Sequence, residues 1–409
     1  MPFMNHPAQD TQDIPHAPTF EQTRHRFPGA LDKVYMDVAS RGLILGSARD
    51  LAARHLQDRI EGIADKKHYF ALVEAARGKF ARLIGADADE IAITKNVSEG
   101  LNIVAGALAW ESGDEVVLCS AVEHPNNIYA WRNLEARGVI VTDLPADGGA
   151  FPTAAALEHL SRPGRAPKVM TVSGTSFKPG FRADLEALSR ACEQRGTLFV
   201  VDAAQSVGIA HLDVAAQPIG ALAASTQKGL CALYGMGFLY VRRAWADRMR
   251  PQGLARFGVD IVAQHEADYD PGAIRYRDAA LRFDLGNYNF LAAALVGESL
   301  DLLLSHGTRR IDDYVTGLSR RLADGLQEAG AAVVRHASAR PSNIVCVDFR
   351  GDARRAAGVL DGLKARKVHA TVRGSLLRYS LHLYNNQDDV DAAVAATRAA
   401  LADTGGHRP

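Results

Sequence analysis

Between about residues 34 and 241, short apolar runs alternate with longer segments of helical periodicity. Residues 90–94, 115–119, 139–142, 168–172 and 198–202 read as strands, each a brief apolar stretch rich in valine and isoleucine. Residues 98–109, 127–136 and 184–195 read as the helices between them. Strands that are apolar throughout, rather than alternating with polar residues, are expected where helices cover both faces of a largely parallel sheet. A site in such a fold belongs at the carboxyl ends of the strands.

Beyond about residue 285 the texture changes. Residues 290–306 and 311–329 carry long helical patterns, followed by short strands at 332–334 and 344–349 and a helix at 353–365. A strand at 378–383 and a helix at 387–402 complete the chain. The pattern therefore predicts an α/β fold in three parts: an N-terminal arm over 1–30, a large domain over 31–290, and a smaller α+β domain over 291–409. The first 25 or so residues are polar and proline-containing, without apolar periodicity, and are expected to be disordered or draped over the body.

Composition narrows the function. Lysine plus arginine and aspartate plus glutamate both number 47, so the formal net charge is zero. A neutral chain offers no electrostatic case for nucleic acid or an anionic membrane. No apolar run approaches the roughly 18 residues of a membrane span, and the first residues lack the cationic and apolar regions of a secretory signal. The four cysteines, Cys119, Cys192, Cys231 and Cys346, are widely spaced and form no metal-ligand pattern. A reducing cytoplasm is the expected compartment.

Two positions stand out for chemistry. Asp202 ends an apolar strand with Gln205 one turn later, and Lys228 follows 26 residues on, directly after Ser225, Thr226 and Gln227 and before Gly229. Alone, a strand-end aspartate is an ordinary helix cap and a lysine an ordinary surface charge. In an apolar setting, however, a lysine amine is desolvated and its pKa falls toward neutrality.

The stretch from Val200 to Arg243, VVDAAQSVGIAHLDV…ASTQKGLCALYGMGFLYVRR, resembles the cofactor region of the class V aminotransferases. That family, of the type I fold of pyridoxal-phosphate (PLP) dependent transferases, includes cysteine desulfurases, isopenicillin N epimerase and kynureninase. The resemblance implies that Lys228 holds PLP covalently, that Asp202 pairs with the pyridine nitrogen, and that Gln205 touches the ring hydroxyl. The segment 94–102, TKNVSEGLN, resembles the family's phosphate-binding turn, with Val97 and Ser98 in the matching positions. A helix start suits an anion because its free N–H groups and positive dipole end point outward. Ser98 by itself is better explained as an ordinary cap. Ser225 and Gln227 also fall among the expected cofactor contacts. In the segment 123–127, EHPNN, His124 matches the histidine that stacks on the ring. In the segment 377–386, LRYSLHLYNN, Arg378 matches the arginine that grips the substrate carboxylate, a task suited to a planar two-donor fork. The segment 282–287, RFDLGN, matches one that reaches the partner subunit's phosphate, which implies a homodimer with shared sites and a contact from Asn287. The likeness runs from about residue 34 to residue 401.

Three departures matter. Gln227 replaces a common histidine, and Asn287 a common threonine. The segment between Lys367 and Arg378 is short and holds no cysteine, whereas desulfurases of the group carry there a loop bearing the nucleophilic cysteine. Cys231 lies three residues from Lys228 but reads as a small buried hydrophobe. The expected function is therefore PLP chemistry at the α-carbon of a small amino acid. Elimination of a β-substituent, including carbon–sulfur cleavage without a cysteine nucleophile, stands first, with racemisation or epimerisation and transamination as alternatives. A non-catalytic binding protein is a remote fourth. His382, Lys178 and Tyr234 are candidates for the second base that epimerisation needs. Lys178 and Arg182 are candidates for holding an acidic substrate side chain, although a solvated loop is the better explanation of them by themselves.

Overall fold

The computed structural model describes residues 17–260 and 274–405. Twelve strands occur among them. In chain order they are β1 (Val34–Tyr35), β2 (Ile91–Thr94), β3 (Glu115–Leu118), β4 (Ile140–Asp143), β5 (Val169–Ser173) and β6 (Leu198–Asp202). They continue as β7 (Ala221–Ser225), β8 (Gly237–Val241), β9 (Ile344–Asp348), β10 (Val368–His369), β11 (Thr371–Arg373) and β12 (Leu376–Ser380). Seven form the central sheet in the order β2-β8-β7-β6-β5-β3-β4, and β8 alone runs against the others.

Strands β5 to β8 are buried along their whole length, as their unbroken apolar runs require. Alternate side chains enter different cores. Phe199 and Val201 of β6, with Phe238 and Tyr240 of β8, belong to the core on one face. Leu198 and Val200, with Leu239 and Val241, belong to the core on the other. The helix Val97–Ala107 packs close on the sheet, where a Cβ at Gly100 would lie 3.0 Å from that of Ala223.

The C-terminal part carries a three-stranded antiparallel sheet, β11-β12-β9, with the helices Thr308–Glu328, Ala353–Ala365 and Gln387–Gly405. The helix Phe290–His306 has the expected bounds and is broken from its successor at Gly307 (φ 77°), where the axis turns by 83°. No single described helix is long and apolar enough to cross a membrane.

Some details differ from the sequence expectation. Residues 332–334 form no strand: a single bridge joins Val333 to Val347, flanked by two backbone hydrogen bonds to β9. The last strand begins two residues earlier than expected, at Leu376, and ends at Ser380, where its backbone turns to pair with residues 36–38. Residues 17–31 are anchored rather than loose. Phe20 stacks on Tyr314 and His306, Arg24 forms a bidentate pair with Asp389 at 2.7 and 2.9 Å, and Phe27 is fully buried. The remainder of the expected arm, residues 1–16, lies outside the described residues.

The chain then runs along the C-terminal sheet. β1 pairs in parallel with β10, and Asp37 bridges to Ser380. Residues 37–42 are thereby laid between the C-terminal sheet and the loop that follows β7.

Candidate active site

The sheet register brings the sequence candidates together. Ser173, Asp202 and Ala223 stand side by side on β5, β6 and β7. Two residues further on, Ser225 pairs with Gly237, which pairs in turn with Thr94 at the end of β2. The helix beginning at Val97 starts beside this row, and a Cβ at Gly237 would meet the Asn96 backbone at 3.0 Å. The cap of this helix is Asn96, whose side chain accepts from the Glu99 N–H at 2.9 Å. Ser98, half-buried in the first turn, is therefore not the cap.

Asp202 is buried, and one of its oxygens accepts from the Ala204 N–H at 2.9 Å. Burial raises its pKa, opposed by that hydrogen bond and by the charges of Lys228 and His124. Lys228 lies in the turn after β7 with its amine unbonded among the described residues. Burial lowers its pKa to about 8, with Asp202 opposing the shift and Arg378 and Arg373 adding to it. His124 is half-buried, edge-on to Phe177 at 5.4 Å, and its pKa is lowered by burial first and then by Lys228. Its Nδ1 accepts from the Asn126 N–H at 3.2 Å, which assigns the proton of the neutral ring to Nε2.

The turn holding Lys228 is pinned by close backbone approaches. The Gln227 carbonyl accepts from the Gly42 N–H at 2.8 Å, and a Cβ at Gly42 would stand 2.3 Å from the Lys228 carbonyl oxygen. At Gly229 a Cβ would stand 2.2 Å from the Val207 carbonyl. The small residue after the lysine is thus a packing requirement. Of the two hydroxyls before it, Thr226 donates to backbone carbonyls, whereas the buried Ser225 Oγ has no partner. Gln205 donates to the Ala39 carbonyl at 3.0 Å, and its buried Oε1 is likewise unpartnered.

Arg378 is 1% exposed. It donates to the Phe177 carbonyl at 2.9 Å and to Ser40 Oγ at 3.0 Å, while its Nε is unpartnered. Asp37 Oδ1 lies 3.9 Å away. Burial lowers the Arg378 pKa to about 10, which leaves it a cation at neutral pH.

Other candidates fall elsewhere. Both terminal nitrogens of Arg182 are held by Asp312, at 2.8 and 2.5 Å, so it is unavailable to a substrate. His382 is fully buried, with Nε2 2.8 Å from the Gly229 carbonyl and Nδ1 accepting from the Leu383 N–H at 2.6 Å; both nitrogens are spent on backbone. Burial drops its pKa to about 4, so the ring is neutral near neutral pH, with its one proton on Nε2 donated to the Gly229 carbonyl. Tyr234 is 60% exposed. Asn287 is exposed, with φ 47°. Arg282 in the same segment turns inward to the Ala246 carbonyl and Asp247. All four cysteines are free and buried, and burial raises each thiol pKa, to about 11 for Cys119.

Four residues escaped the sequence reading. Asp37 and Ser40 arrive from the N-terminal segment, and Arg373 reaches Ser40 Oγ at 3.2 Å from the end of β11. Glu123, buried beside the sheet end, accepts from Ser173 N–H and Oγ and from Asn127, and burial raises its pKa to about 7. Only Glu123 carried a signal, as the first residue of the EHPNN segment.

These residues fit pyridoxal phosphate. A free buried amine, a buried carboxylate, two buried polar atoms lacking partners, and a helix N-terminus beside them are the groups that an aldehyde, a pyridine nitrogen, a ring hydroxyl and a phosphate require. No cluster able to hold a metal occurs among the described residues.

Comparisons with known proteins agree. The family model "Aminotransferase class-V" matches residues 60–393. An uncharacterized aminotransferase of Bacillus subtilis, YcbU, is 30% identical over 91% of this chain and 96% of its own. A probable cysteine desulfurase of Methanothermobacter thermautotrophicus is 29% identical over 78% of this chain and 81% of its own. Among solved structures, the apo cysteine desulfurase of Thermococcus onnurineus superposes with a TM-score of 0.82 at 21% identity, covering 96% of this chain and all of the other. The cystine C–S lyase C-DES, in complex with cysteine persulfide, superposes with a TM-score of 0.79 at 21% identity, covering 91% and 99%.

Proposed function

The chain belongs to the class V aminotransferase family and is a PLP-dependent enzyme; from that premise we propose that it removes the α-proton of a small amino acid and breaks a β carbon–sulfur bond by elimination. The observation that carries this reading is a lysine amine lowered to about 8 beside a buried aspartate, with every thiol of the chain buried. A desulfurase that forms a persulfide needs an accessible thiolate. Where such a thiol would be presented, this chain turns between β11 and β12 through Gly374 and Ser375 alone.

PLP, when bound, supplies an electron-withdrawing ring that stabilises charge developing at the α-carbon. Asp202 would keep a proton on the ring nitrogen by placing a buried carboxylate there. Val97 and Ser98 at the helix start, with the Ser225 hydroxyl, would hold the phosphate, and Gln205 would meet the ring hydroxyl. Gln227 and His124 complete the enclosure. Arg378 takes the substrate carboxylate, exchanging its present bonds to the Phe177 carbonyl and Ser40 for a bidentate pair. Lys228 then acts as the general base. An amine with a pKa of about 8 is both partly neutral and still basic near physiological pH. As the α-proton moves to Lys228, the Cβ–S bond breaks, its electron pair leaves with sulfur, and a double bond forms between Cα and Cβ.

Epimerisation needs a second base on the opposite face, and His382 does not serve, having both nitrogens bonded to backbone. We further propose that the enzyme is a cytoplasmic homodimer in which the exposed Asn287 faces the partner's phosphate site.

The test is to mix PLP-loaded protein with L- and D-amino acids in deuterium oxide and follow them by proton NMR. Turnover of cysteine or cystine to keto acid, ammonia and a sulfur product, abolished in Lys228→Ala, supports the proposal. Solvent deuterium at the α-carbon with appearance of the other enantiomer assigns a racemase instead. Keto acid formed only stoichiometrically with enzyme assigns a transaminase.

A further inference from the structure

Two guanidinium groups converge on one neutral oxygen close enough to Lys228 for both charges to act on it. Arg378 Nη2 lies 3.0 Å from Ser40 Oγ, and Arg373 Nη2 lies 3.2 Å from the same atom. The other partners of Arg373 are also neutral: Thr371 Oγ1 at 3.0 Å and the Val372 carbonyl at 3.1 Å. No carboxylate among the described residues forms an ion pair with it. The carboxylate of Asp37 faces Arg378 at 3.9 Å with its Oδ1 free of hydrogen bonds, and its one charge acts on both arginines. That single charge offsets one of the two arginine charges, not both. Arg373 is near enough to the centre for its charge to act on Lys228, His124 and Arg378.

One carboxylate does not use this charge fully. The α-carboxylate of a substrate occupies Arg378, which is buried and fixed. Arg373 is exposed, held only by neutral groups, and carried on the tight turn at Gly374 (φ 63°). Like charges placed side by side without an anion between them are unfavourable, so the pair selects a ligand that brings two anions.

We propose that Arg373 is a specificity residue, and that the preferred substrate is an amino acid whose side chain carries a second anionic group, a carboxylate or sulfur oxyacid, which Arg373 binds while Arg378 holds the α-carboxylate. This rests on the α-carbon chemistry proposed above and names the substrate class for that site. The acidic side chain is thereby assigned to Arg373 rather than to Arg182, which Asp312 occupies.

The experiment compares PLP-loaded wild-type protein and Arg373→Gln on matched neutral and acidic amino acids, reading kcat/KM or α-proton exchange. Calorimetry with succinate and with butyrate gives a binding readout independent of turnover. The proposal expects wild type to favour acidic over neutral ligands at least tenfold, a ratio of roughly the size a charge-assisted hydrogen bond provides. Arg373→Gln should erase most of that preference, read as the acidic-to-neutral ratio, in which any change made through Lys228 is common to both ligand classes. Raising the salt should shrink the wild-type preference, because the group is exposed. Equal losses on both ligand classes would make Arg373 part of the α-carboxylate clamp and overturn the proposal, as would no loss on either. If no amino acid exchanges its α-proton, the α-carbon reading fails; a succinate preference lost in Arg373→Gln would still establish the dianion site.

Discussion

Replacing Lys228 by methionine should change the pH dependence of folding in the cofactor-free protein. The amine titrates near 10.5 when unfolded and at about 8 in the folded chain, because burial disfavours the cation. Between those values the unfolded state binds more protons than the folded state, so wild-type stability rises with pH across the window. Below it both states are protonated, and the full cost of burying the cation is present, at most about 3 kcal/mol. From roughly pH 7 to roughly pH 9.5, the wild type should gain about 2 kcal/mol relative to Lys228→Met. The variant should therefore be the more stable at neutral pH and lose that margin as pH rises. Asp202 loses its neighbouring cation in the variant, which reduces the margin at neutrality but not its slope. Urea denaturation of both proteins at several pH values gives the difference, and groups that titrate alike in both cancel. A difference that stays flat across this window would mean that the amine titrates as a solvated lysine, and its role as a base near neutral pH would lose its physical basis.

Ser225→Ala should leave the cofactor-free protein about as stable as wild type, because the buried hydroxyl has no partner to lose. PLP affinity, read by absorbance titration, should fall several-fold, as expected for about 1 kcal/mol of hydrogen bonding. Gly42→Ala should prevent the Lys228 turn from closing, since the new Cβ would stand 2.3 Å from a carbonyl oxygen; limited proteolysis and the absorbance of lysine-bound PLP would report it, and normal values for both would refute it. Arg77→Met should destabilise the fold by roughly 3–5 kcal/mol in chemical denaturation, because it strands the fully buried Asp284, 2.7 Å from Arg77. The paired change, Arg77→Met with Asp284→Leu, should recover part of that loss.

The readable part of this molecule was local. Strand β6 could be placed because apolar residues run without a break into Asp202, and Lys228 follows in a segment whose order carries the family likeness. The helix Phe290–His306 was bounded correctly because its apolar pattern stops where glycine takes a positive φ. What stayed hidden depends on contacts between distant segments. Ser40 is 338 residues from Arg378 along the chain, and only the pairing of β1 with β10 and the bridge from Asp37 to Ser380 bring them together. Nothing in the local pattern around Ser40 announces that contact.

The arginines make the same point more sharply. In sequence, Arg182 and Arg373 look alike, each a cation within two residues of a single glycine. In the fold, Arg182 meets a carboxylate from the helix Thr308–Glu328, whereas Arg373 meets only neutral oxygens. A cation whose charge the protein has matched stabilises the protein; one left unmatched beside a cleft is available to a ligand. The same distinction separates Thr226 from Ser225, adjacent hydroxyls of which one is spent on backbone and the other is buried with nothing to bond. Residue type and spacing propose the members of such a site, and the hydrogen bonds left unmade decide which of them face the ligand.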